Sequence, residues 1–367
     1  MATTRLLLLS AGTPVGQTML AMLARRRADV TLVATSDLAD EPALFDCDVV
    51  HLVPPASGDA SAFERALEDV IERERIDLVV PCTDDDVLCC ARVRQRVPAL
   101  APRLLCGAPD VAHVLVDRWA SHEFCRAHGL PYAASIVGST ADAQAAFVAR
   151  HGLPAIAKPR RGGRPNDARL VGTPAQLATM LAREGIVAQA YLGDRGAIDD
   201  YLRGLDDDGV PLFHRMQGLA RSMLAIIAPD GGLAALFNTR RVRQLRRSTW
   251  MAVDDDHAAI DVGRRCARAF AAAGWRGPLD IECLVDAAGE LRIHELRGRF
   301  TGGSMDRWLL GFDELGATIG AFVGRTLAFD RTPVAAPVEA FESRASRAVD
   351  PAEVARLARE RVWRRAA

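Results

Sequence analysis

The sequence of 367 residues lacks any strong excess of charge, since 46 basic and 47 acidic residues leave a formal net charge of −1. A general nucleic-acid or membrane-surface binder is therefore disfavoured. It also lacks an apolar run of the roughly 18 residues that a membrane span requires, and the short run near Met1 leads into glycine turn chemistry, which predicts a first strand. The eight cysteines include no C-x-x-C pair. They are expected to pack as thiols in a reducing cytoplasm.

Lysine is almost absent: Lys158 is the only one among the 46 basic residues. Because arginine fills every other cationic position, the retained lysine suggests that a compact, flexible ammonium is needed there. Residues 154–157 predict a short buried strand, and residues 159–163 open a basic loop that carries two glycines. A lysine at such a strand end is placed to hold phosphate as a point charge. A surface lysine without a binding role is the alternative.

Strand and helix patterns alternate over residues 1–110, the first of two or three domains that this length predicts. Strands are predicted at 5–9, 30–34, 49–53 and 78–81, and helices at 16–26 and 60–74. This alternation favours a Rossmann-like α/β domain with a parallel sheet. The loop 10–16 lacks the G-x-G-x-x-G spacing, so support for NAD is weak. Asp84, Asp85 and Asp86 follow the last of these strands, where open α/β sheets place ligands. A solvated helix N-cap is the alternative for these three aspartates.

Two further units and a tail follow. Residues 111–192 predict a linker helix and a small α+β lid of two strand pairs and two helices. Residues 193–335 predict a second α+β domain with a polar, acidic insertion at 194–216. Its predicted elements are strands at 223–228, 233–237 and 239–247, helices at 257–273 and 313–322, and a hairpin at 279–297. The tail at 336–367 is predicted to end in a helix at 351–363.

The hairpin is expected to bring two carboxylates together. If residues 287–290 form a four-residue loop, Glu282 lies directly opposite Glu295 on one face of the sheet. Like charges at that distance repel each other, so a cation is expected between them. Oxygen ligands without histidine or cysteine favour a hard cation, and Mg²⁺ held by two carboxylates and substrate phosphates fits best. A register shifted by one residue would instead send the two side chains to opposite faces.

The order of these features resembles the ATP-grasp superfamily over about residues 5–330. The motifs that carry the resemblance are Val80-Pro81-Cys82-Thr83-Asp84, Asp117-Arg118, Lys158-Pro159-Arg160-Arg161-Gly162, Val187-Ala188-Gln189-Ala190-Tyr191 and Glu295-Leu296-Arg297-Gly298-Arg299-Phe300. The most similar group is the carboxylate-amine ligases, with the carbamoyl phosphate synthetase-like domains. The resemblance implies an ATP-grasp fold: a Rossmann-like N-terminal domain, a small α+β lid and a C-terminal α+β domain for nucleotide and metal.

The resemblance also implies a role for each matching residue. For the nucleotide, it assigns Lys158 and Arg118 to the phosphates and the segment that contains Gln189, Tyr191 and Leu192 to adenine. Glu282 and Glu295 would ligate Mg²⁺.

Other matching residues would act on the reacting groups. Arg299 would brace the transferred phosphate or the acyl phosphate, and one of Arg241 and Arg243 would reach the γ-phosphate, since a spacing of two puts both on one face of a strand. A solvated arginine face is the alternative for that strand. Asp84 and the pair Gly302 and Gly303 would contact the substrate.

Arg297 is the main departure from the family pattern, which has asparagine at this position. It lies two residues after Glu295, so both side chains point to the same face of the strand. Arg297 either replaces one of two metal ions electrostatically and takes part in catalysis, or pairs with Glu282 and Glu295 and weakens the chemistry. A second departure is Ala190, which stands where the family has a hinge glutamate.

The resemblance implies an ATP-dependent ligase that joins a carboxylic acid to an amine through an acyl phosphate and releases ADP and phosphate. ATP and Mg²⁺ are the expected cofactors, and a small-molecule acid and amine the expected partners. No nucleic-acid or membrane partner is expected, and a homodimer is left open. A nucleotide-binding relative that senses or scaffolds is the alternative, favoured by Arg297. The missing glycine fingerprint contradicts an NAD oxidoreductase.

Overall fold

The fold is taken from a computed structural model of the chain. It describes residues 3–24, 26–138, 140–162, 167–193, 218–243, 250–327, 339–341 and 349–365, with single positions between 196 and 203. The predicted insertion at 194–216 lies almost entirely outside the described residues. Within them the strands form three sheets.

The first sheet is the predicted parallel sheet of the N-terminal part. Its elements are β1 (Thr4–Leu8), α1 (Pro14–Leu23), β2 (Val30–Ser36), β3 (Val49–Leu52), α2 (Ala60–Arg73), β4 (Leu78–Val80) and α3 (Asp84–Arg96). The strand order is β3-β2-β1-β4, all parallel. The strands are nearly continuous apolar runs because helices cover both faces of such a sheet. Their carboxyl ends therefore meet at one edge, where Ser10 and Asp84 follow β1 and β4.

The second sheet forms the predicted lid. Two helices, α4 (Pro109–Val116) and α5 (Arg118–Ala127), lead into it. The lid elements are β5 (Ser135–Val137), α6 (Ala141–His151), β6 (Ala155–Pro159), β7 (Arg169–Val171), α7 (Pro174–Leu181) and β8 (Ile186–Ala190). The sheet is antiparallel in the order β5-β8-β6-β7, and its apolar side packs on α6 and α7 in a separate cluster that includes Phe147 and Leu177. The lid thus has a hydrophobic core of its own.

The third sheet is antiparallel and carries the predicted hairpin. Its elements are β9 (Gly218–Ile227), β10 (Leu233–Arg243), β11 (Trp250–Val253), α8 (His257–Ala272), β12 (Gly277–Val285), β13 (Leu291–Arg297), α9 (Ser304–Leu309), α10 (Glu314–Val323) and β14 (Glu339–Phe341). The strand order is β13-β12-β9-β10-β11-β14. Gly263 of α8 lies against Met223 and Leu236, where an added Cβ would come within 3.1 Å of either side chain, so the helix packs closely on β9 and β10.

Two predicted boundaries in the C-terminal half were wrong. Residues 233–243 form one strand where two were predicted, because Asn238 stays in the strand and donates its side-chain amide to the carbonyl of Asp254 at 2.8 Å. The last helix, α11 (Pro351–Glu360), ends at Arg361 with φ +63° instead of running to Trp363. The chain then forms β15 (Val362–Arg364), which pairs antiparallel with β3. The end of the tail therefore extends the N-terminal sheet.

All eight cysteines are buried and unpaired. No helix among the described residues is both long and apolar enough to cross a membrane.

Candidate active site

The two predicted carboxylates do meet across the hairpin, although the turn differs from the predicted one. Val285 pairs with Leu291 and Cys283 with Ile293, which makes the loop one residue longer than predicted. The register then shifts between Cys283 and Glu282, so that Glu282 pairs with Glu295. His294 is the extra residue, which makes it a β-bulge. The predicted pairing is confirmed because this bulge compensates for the longer turn.

Arg297 binds every carboxylate of the cluster. Its Nη1 donates to Glu282 Oε1 at 2.9 Å and lies 3.3 Å from Asp280 Oδ2, and its Nη2 donates to Glu295 Oε2. Burial alone would raise the pKa of Glu282, but Arg297 outweighs it and holds that pKa well below its ordinary value. For Glu295 the same balance, with Arg118 assisting, lowers the pKa to about 2. Both carboxylates are therefore ionised at neutral pH and held by a guanidinium.

Lys158 lies at the place where the lid meets the third sheet. Its Nζ donates to Gln189 Oε1 at 3.0 Å and to the backbone carbonyl of His294 at 3.3 Å. Burial lowers the pKa of Lys158 to about 8, and the nearby carboxylate of Glu295 limits that shift. The ammonium thus projects from the lid strand β6 toward the residue next to the acidic pair.

Arg118 connects the lid loop with the acidic pair. Its Nη1 donates to the carbonyls of Pro159 and Gly162 at 2.8 and 2.9 Å, and its Nη2 donates to Glu295 Oε1. The guanidinium therefore lies between the basic loop after Lys158 and the carboxylate, although Arg118 and Glu295 are 177 residues apart.

A cavity of about 600 Å³ adjoins this cluster. Tyr191 and Leu192, directly after β8, line it together with Tyr132, Ser135 and Arg292. Its volume lies within the range of small-molecule sites, about 300–1,000 Å³.

The cavity wall is linked to Lys158 through two hydrogen-bonding side chains. Gln189, which is buried, lies 3.5 Å from Ser135 Oγ and accepts from the ammonium. Tyr132 Oη contacts the same His294 carbonyl at 3.5 Å. The cavity and the charged cluster are thus neighbours.

The remaining predicted residues are connected to the site by separate contacts. Arg299 donates through Nε to Asp84 Oδ1 at 2.6 Å, which joins the third sheet to the edge of the N-terminal sheet. Arg241 lowers the pKa of Glu282 electrostatically and so faces the acidic pair. A Cβ on Gly303 would lie 2.6 Å from Arg241 Nη2, whereas one on Gly302 would meet nothing within 4 Å.

The side chain of Arg243 lies outside the described residues. Of the three aspartates after β4, Asp86 closes a capping box with Thr83, the N-cap of α3. Asp84 is the first residue of that helix and contacts Arg299, so among the three aspartates only Asp86, which is fully buried, takes part in the capping.

The sequence analysis missed four residues of the site: Asp280, Arg307 and Glu314, and also His294, which lies at the bulge. Asp280 is fully buried, two residues before Glu282 and hence on its face, and burial raises its pKa. The alternation of β12 was the signal that could have found it. Behind it lies Arg307, fully buried, which is 3.7 Å from Asp280 Oδ1 and donates to Glu314 Oε2 at 2.6 Å. That pair comes from α9 and α10, and no spacing in the sequence predicts it.

The donor set fits a divalent cation. Glu282, His294 and Glu295 each offer a ligand atom, and these atoms lie within 4.8 Å of one another. Among the described residues, no other group of three such side chains comes together in this way. Carboxylate oxygens suit Mg²⁺, as predicted. The sequence predicted only the two carboxylates as ligands, and the bulge places His294 beside them.

Comparison with known proteins identifies the fold. No protein-family model matches the chain, and no curated protein sequence matches it. Among solved structures, N5-carboxyaminoimidazole synthetase from Staphylococcus aureus has a TM-score of 0.64 at 12% identity, covering 90% of this chain and 81% of that one. The biotin carboxylase of Campylobacter jejuni has 0.63 at 13% identity, covering 89% and 71%. N5-carboxyaminoimidazole synthase from Aspergillus clavatus, in complex with ADP and its aminoimidazole ribonucleotide, has 0.62 at 12% identity, covering 92% and 82%.

At these identities the similarity establishes the fold. The chain adopts the ATP-grasp fold, which confirms the fold predicted from its sequence.

Proposed function

We propose that the protein is an ATP-dependent ligase that joins a carboxylic acid to an amine. The observation that carries this proposal is the convergence of Lys158 and Arg118 with Glu282 and Glu295 beside a nucleotide-sized cavity. The similar solved structures are a synthetase, a synthase and a carboxylase, and two of them are complexes with an adenine nucleotide.

The charges of the cluster favour a nucleotide as its ligand. The three carboxylates of Asp280, Glu282 and Glu295 face four cationic side chains: Lys158, Arg118, Arg241 and Arg297. Arg307 also lies near Asp280, but Glu314 balances its charge, so one positive charge is in excess. A divalent cation alone would increase that excess, whereas a triphosphate would reverse it. We therefore expect nucleotide and cation to bind together, because each reduces the electrostatic cost of the other.

The adenine would occupy the cavity against Tyr191 and Leu192, and the phosphates would extend past Gln189 to Lys158. On binding, the Arg118 guanidinium would exchange Glu295 for phosphate oxygens, since it already lies between the lid loop and the carboxylate. Lid closure would exclude water and protect a reactive intermediate from hydrolysis.

The reaction proceeds in two displacements. An oxygen of the acid attacks the γ-phosphorus, which forms an acyl phosphate and releases ADP. The amine nitrogen then attacks the acyl carbon, phosphate leaves, and the nitrogen loses a proton. Arg299, held by Asp84, would bind the carboxylate and later the acyl phosphate, and Arg241 beside Gly303 would stabilise charge on the transferred phosphoryl group.

Glu282 and Glu295 would hold Mg²⁺, with Asp280 adding negative charge behind them. When bound, the ion neutralises phosphate charge and orients the phosphoryl group. Arg297 keeps the pair of carboxylates ionised and fixed in position before any cation arrives.

Trapping of the acyl phosphate tests the proposal directly. The protein is incubated with ATP, Mg²⁺ and hydroxylamine across a panel of small carboxylic acids, and ADP and hydroxamate are measured. At least one acid should give equal amounts of both, and Lys158→Ala should abolish them. The same acid should then give an amide with one of a panel of amines. If ADP is never released although the nucleotide binds, the ligase assignment is wrong.

A second function is favoured by one specific observation. Arg297 contacts all three carboxylates and Arg118 contacts Glu295, so two positive charges already balance the acidic pair without a metal ion. A protein that binds a nucleotide only to sense it, or to scaffold an assembly, does not need a metal ion at this site. Nucleotide binding without ADP release, and without dependence on Mg²⁺, is the result expected for this function.

A homodimer was left open by the sequence, and the cytoplasmic location remains a prediction. Sedimentation of the purified protein measures the first. The unpaired state of all eight cysteines agrees with the second.

A further inference from the structure

His294 faces the acidic pair because of the bulge in β13. In an unbroken strand, neighbouring side chains alternate between faces, so His294 and Glu295 would point in opposite directions. The extra residue removes that alternation locally. As a result His294 Nε2 lies 3.9 Å from Glu282 Oε2, and both lie within 4.8 Å of a carboxylate oxygen of Glu295.

Each of the two glutamates has one carboxylate oxygen that accepts from Arg297 and one that does not. Glu282 Oε1 and Glu295 Oε2 accept from Arg297, whereas Glu282 Oε2 faces His294 and Glu295 Oε1 faces Arg118. Arg297 therefore occupies one side of the pair only. The oxygens that do not accept from Arg297 are Glu282 Oε2, near the His294 imidazole, and Glu295 Oε1, which accepts from Arg118. The proposed function moves Arg118 to the phosphates, which frees that second oxygen.

We propose that His294 is a third ligand of the cation held by Glu282 and Glu295, so that the site takes Mn²⁺, Co²⁺ or Zn²⁺ as well as Mg²⁺ and binds these ions through the imidazole. This inference rests on the proposed function, because it names the metal class of the same site. Its physical basis is the ligand type. Imidazole suits the later first-row divalent ions, whereas Mg²⁺ takes oxygen ligands almost exclusively and gives up its waters reluctantly.

The distances are compatible with a shared ion. Ligand atoms about 2.0–2.2 Å from one metal are separated by about 3 Å at right angles and by about 4.3 Å when they lie opposite each other. The 3.9 Å between His294 Nε2 and Glu282 Oε2 falls within that range. Arg297 then supplies positive charge on the far side, so a single ion suffices where the family pattern provides for two.

Nitrogen coordination can be measured without any turnover. Wild-type protein is loaded with ADP and Mn²⁺, and pulsed electron paramagnetic resonance detects nitrogen modulation from a coordinated imidazole. The test variant is His294→Gln, which keeps a polar side chain of similar size. The matched control is His51→Gln, since His51 is also buried beside a glutamate, 3.0 Å from Glu74 Oε1, but lies in the N-terminal sheet. Glu282→Gln reports whether Mn²⁺ occupies this site.

Nitrogen modulation in the wild type and in His51→Gln, and its loss in His294→Gln, is the expected result. Mn²⁺ affinity should fall about tenfold or more in His294→Gln, while Mg²⁺ affinity should change by less than about threefold. The inference would be overturned if Glu282→Gln loses Mn²⁺ binding but the wild type shows no nitrogen modulation. The proposed function would then remain intact, because Mn²⁺ would still bind at the glutamates. Failure of the wild type to bind ADP with either ion would overturn both.

Discussion

Replacing Arg297 by asparagine should make the stability of the protein depend on Mg²⁺. The guanidinium holds Glu282, Glu295 and Asp280, and removing one partner from a buried charge cluster costs about 3–5 kcal/mol. The side chain of Arg297 is 21% exposed, and Arg118 and Arg307 still contact two of the carboxylates, so we expect the lower end, about 3 kcal/mol. In a chain of this length that corresponds to a fall in Tm of about 4 °C.

Added Mg²⁺ with ADP should reverse much of this loss, because the freed carboxylates become ligands. The assay is thermal unfolding followed by circular dichroism, with ADP present and with or without Mg²⁺. The gain in Tm on adding Mg²⁺ should be larger in Arg297→Asn than in the wild type. Arg221→Asn is the control: Arg221 bridges Asp254 and Asp256 at 2.9 and 2.8 Å in the same sheet, away from the site. Its gain should equal that of the wild type.

Acid stability gives an independent check on the same variant. The depressed pKa of Glu295 means that its ionised form stabilises the fold above its unfolded pKa of about 4.5, and that this contribution is lost as pH falls toward about 2. Arg297→Asn should flatten that part of the wild-type stability profile. An unchanged Tm together with an unchanged acid profile would refute the reasoning that Arg297 neutralises the cluster.

Three further predictions concern the nucleotide site. Lys158→Ala should weaken ADP binding about 10- to 100-fold, the value of one charge-assisted hydrogen bond to phosphate, and calorimetry showing wild-type affinity would contradict it. Because burial lowers the pKa of Lys158 to about 8, wild-type affinity should fall as pH rises from about 7 to about 9 while the ammonium loses its proton, and Lys158→Ala should lack this transition. Gly303→Ala should reduce ligase turnover about tenfold, with little change in Tm, because the new Cβ displaces Arg241. The control is Gly320→Ala, whose new Cβ would meet nothing closer than 3.9 Å and which should keep wild-type turnover. Equal turnover in the two variants would show that the position of Arg241 does not matter for the reaction.

Much of the fold and the centre of the site follow from local patterns. Apolar runs bounded by turn residues predict most of the strands, since a strand covered on both faces has few polar positions. The scarcity of lysine singles out Lys158, and the hairpin alternation pairs Glu282 with Glu295. These features depend on residues close together in the sequence, where periodicity carries the information.

The tertiary structure decided what periodicity cannot carry. Arg118 contacts Glu295 and Arg299 contacts Asp84 across separations of 177 and 215 residues, and such pairs leave no trace in spacing. The sequence predicted the correct pairing of the two glutamates but the wrong turn. The loop is one residue longer than predicted, and the bulge at His294 shifts the register back by one residue. That cancellation also brought a histidine to the carboxylates. A bulge is set by packing and hydrogen bonding across three strands rather than by any local pattern, so only the folded chain shows which side chains share the site.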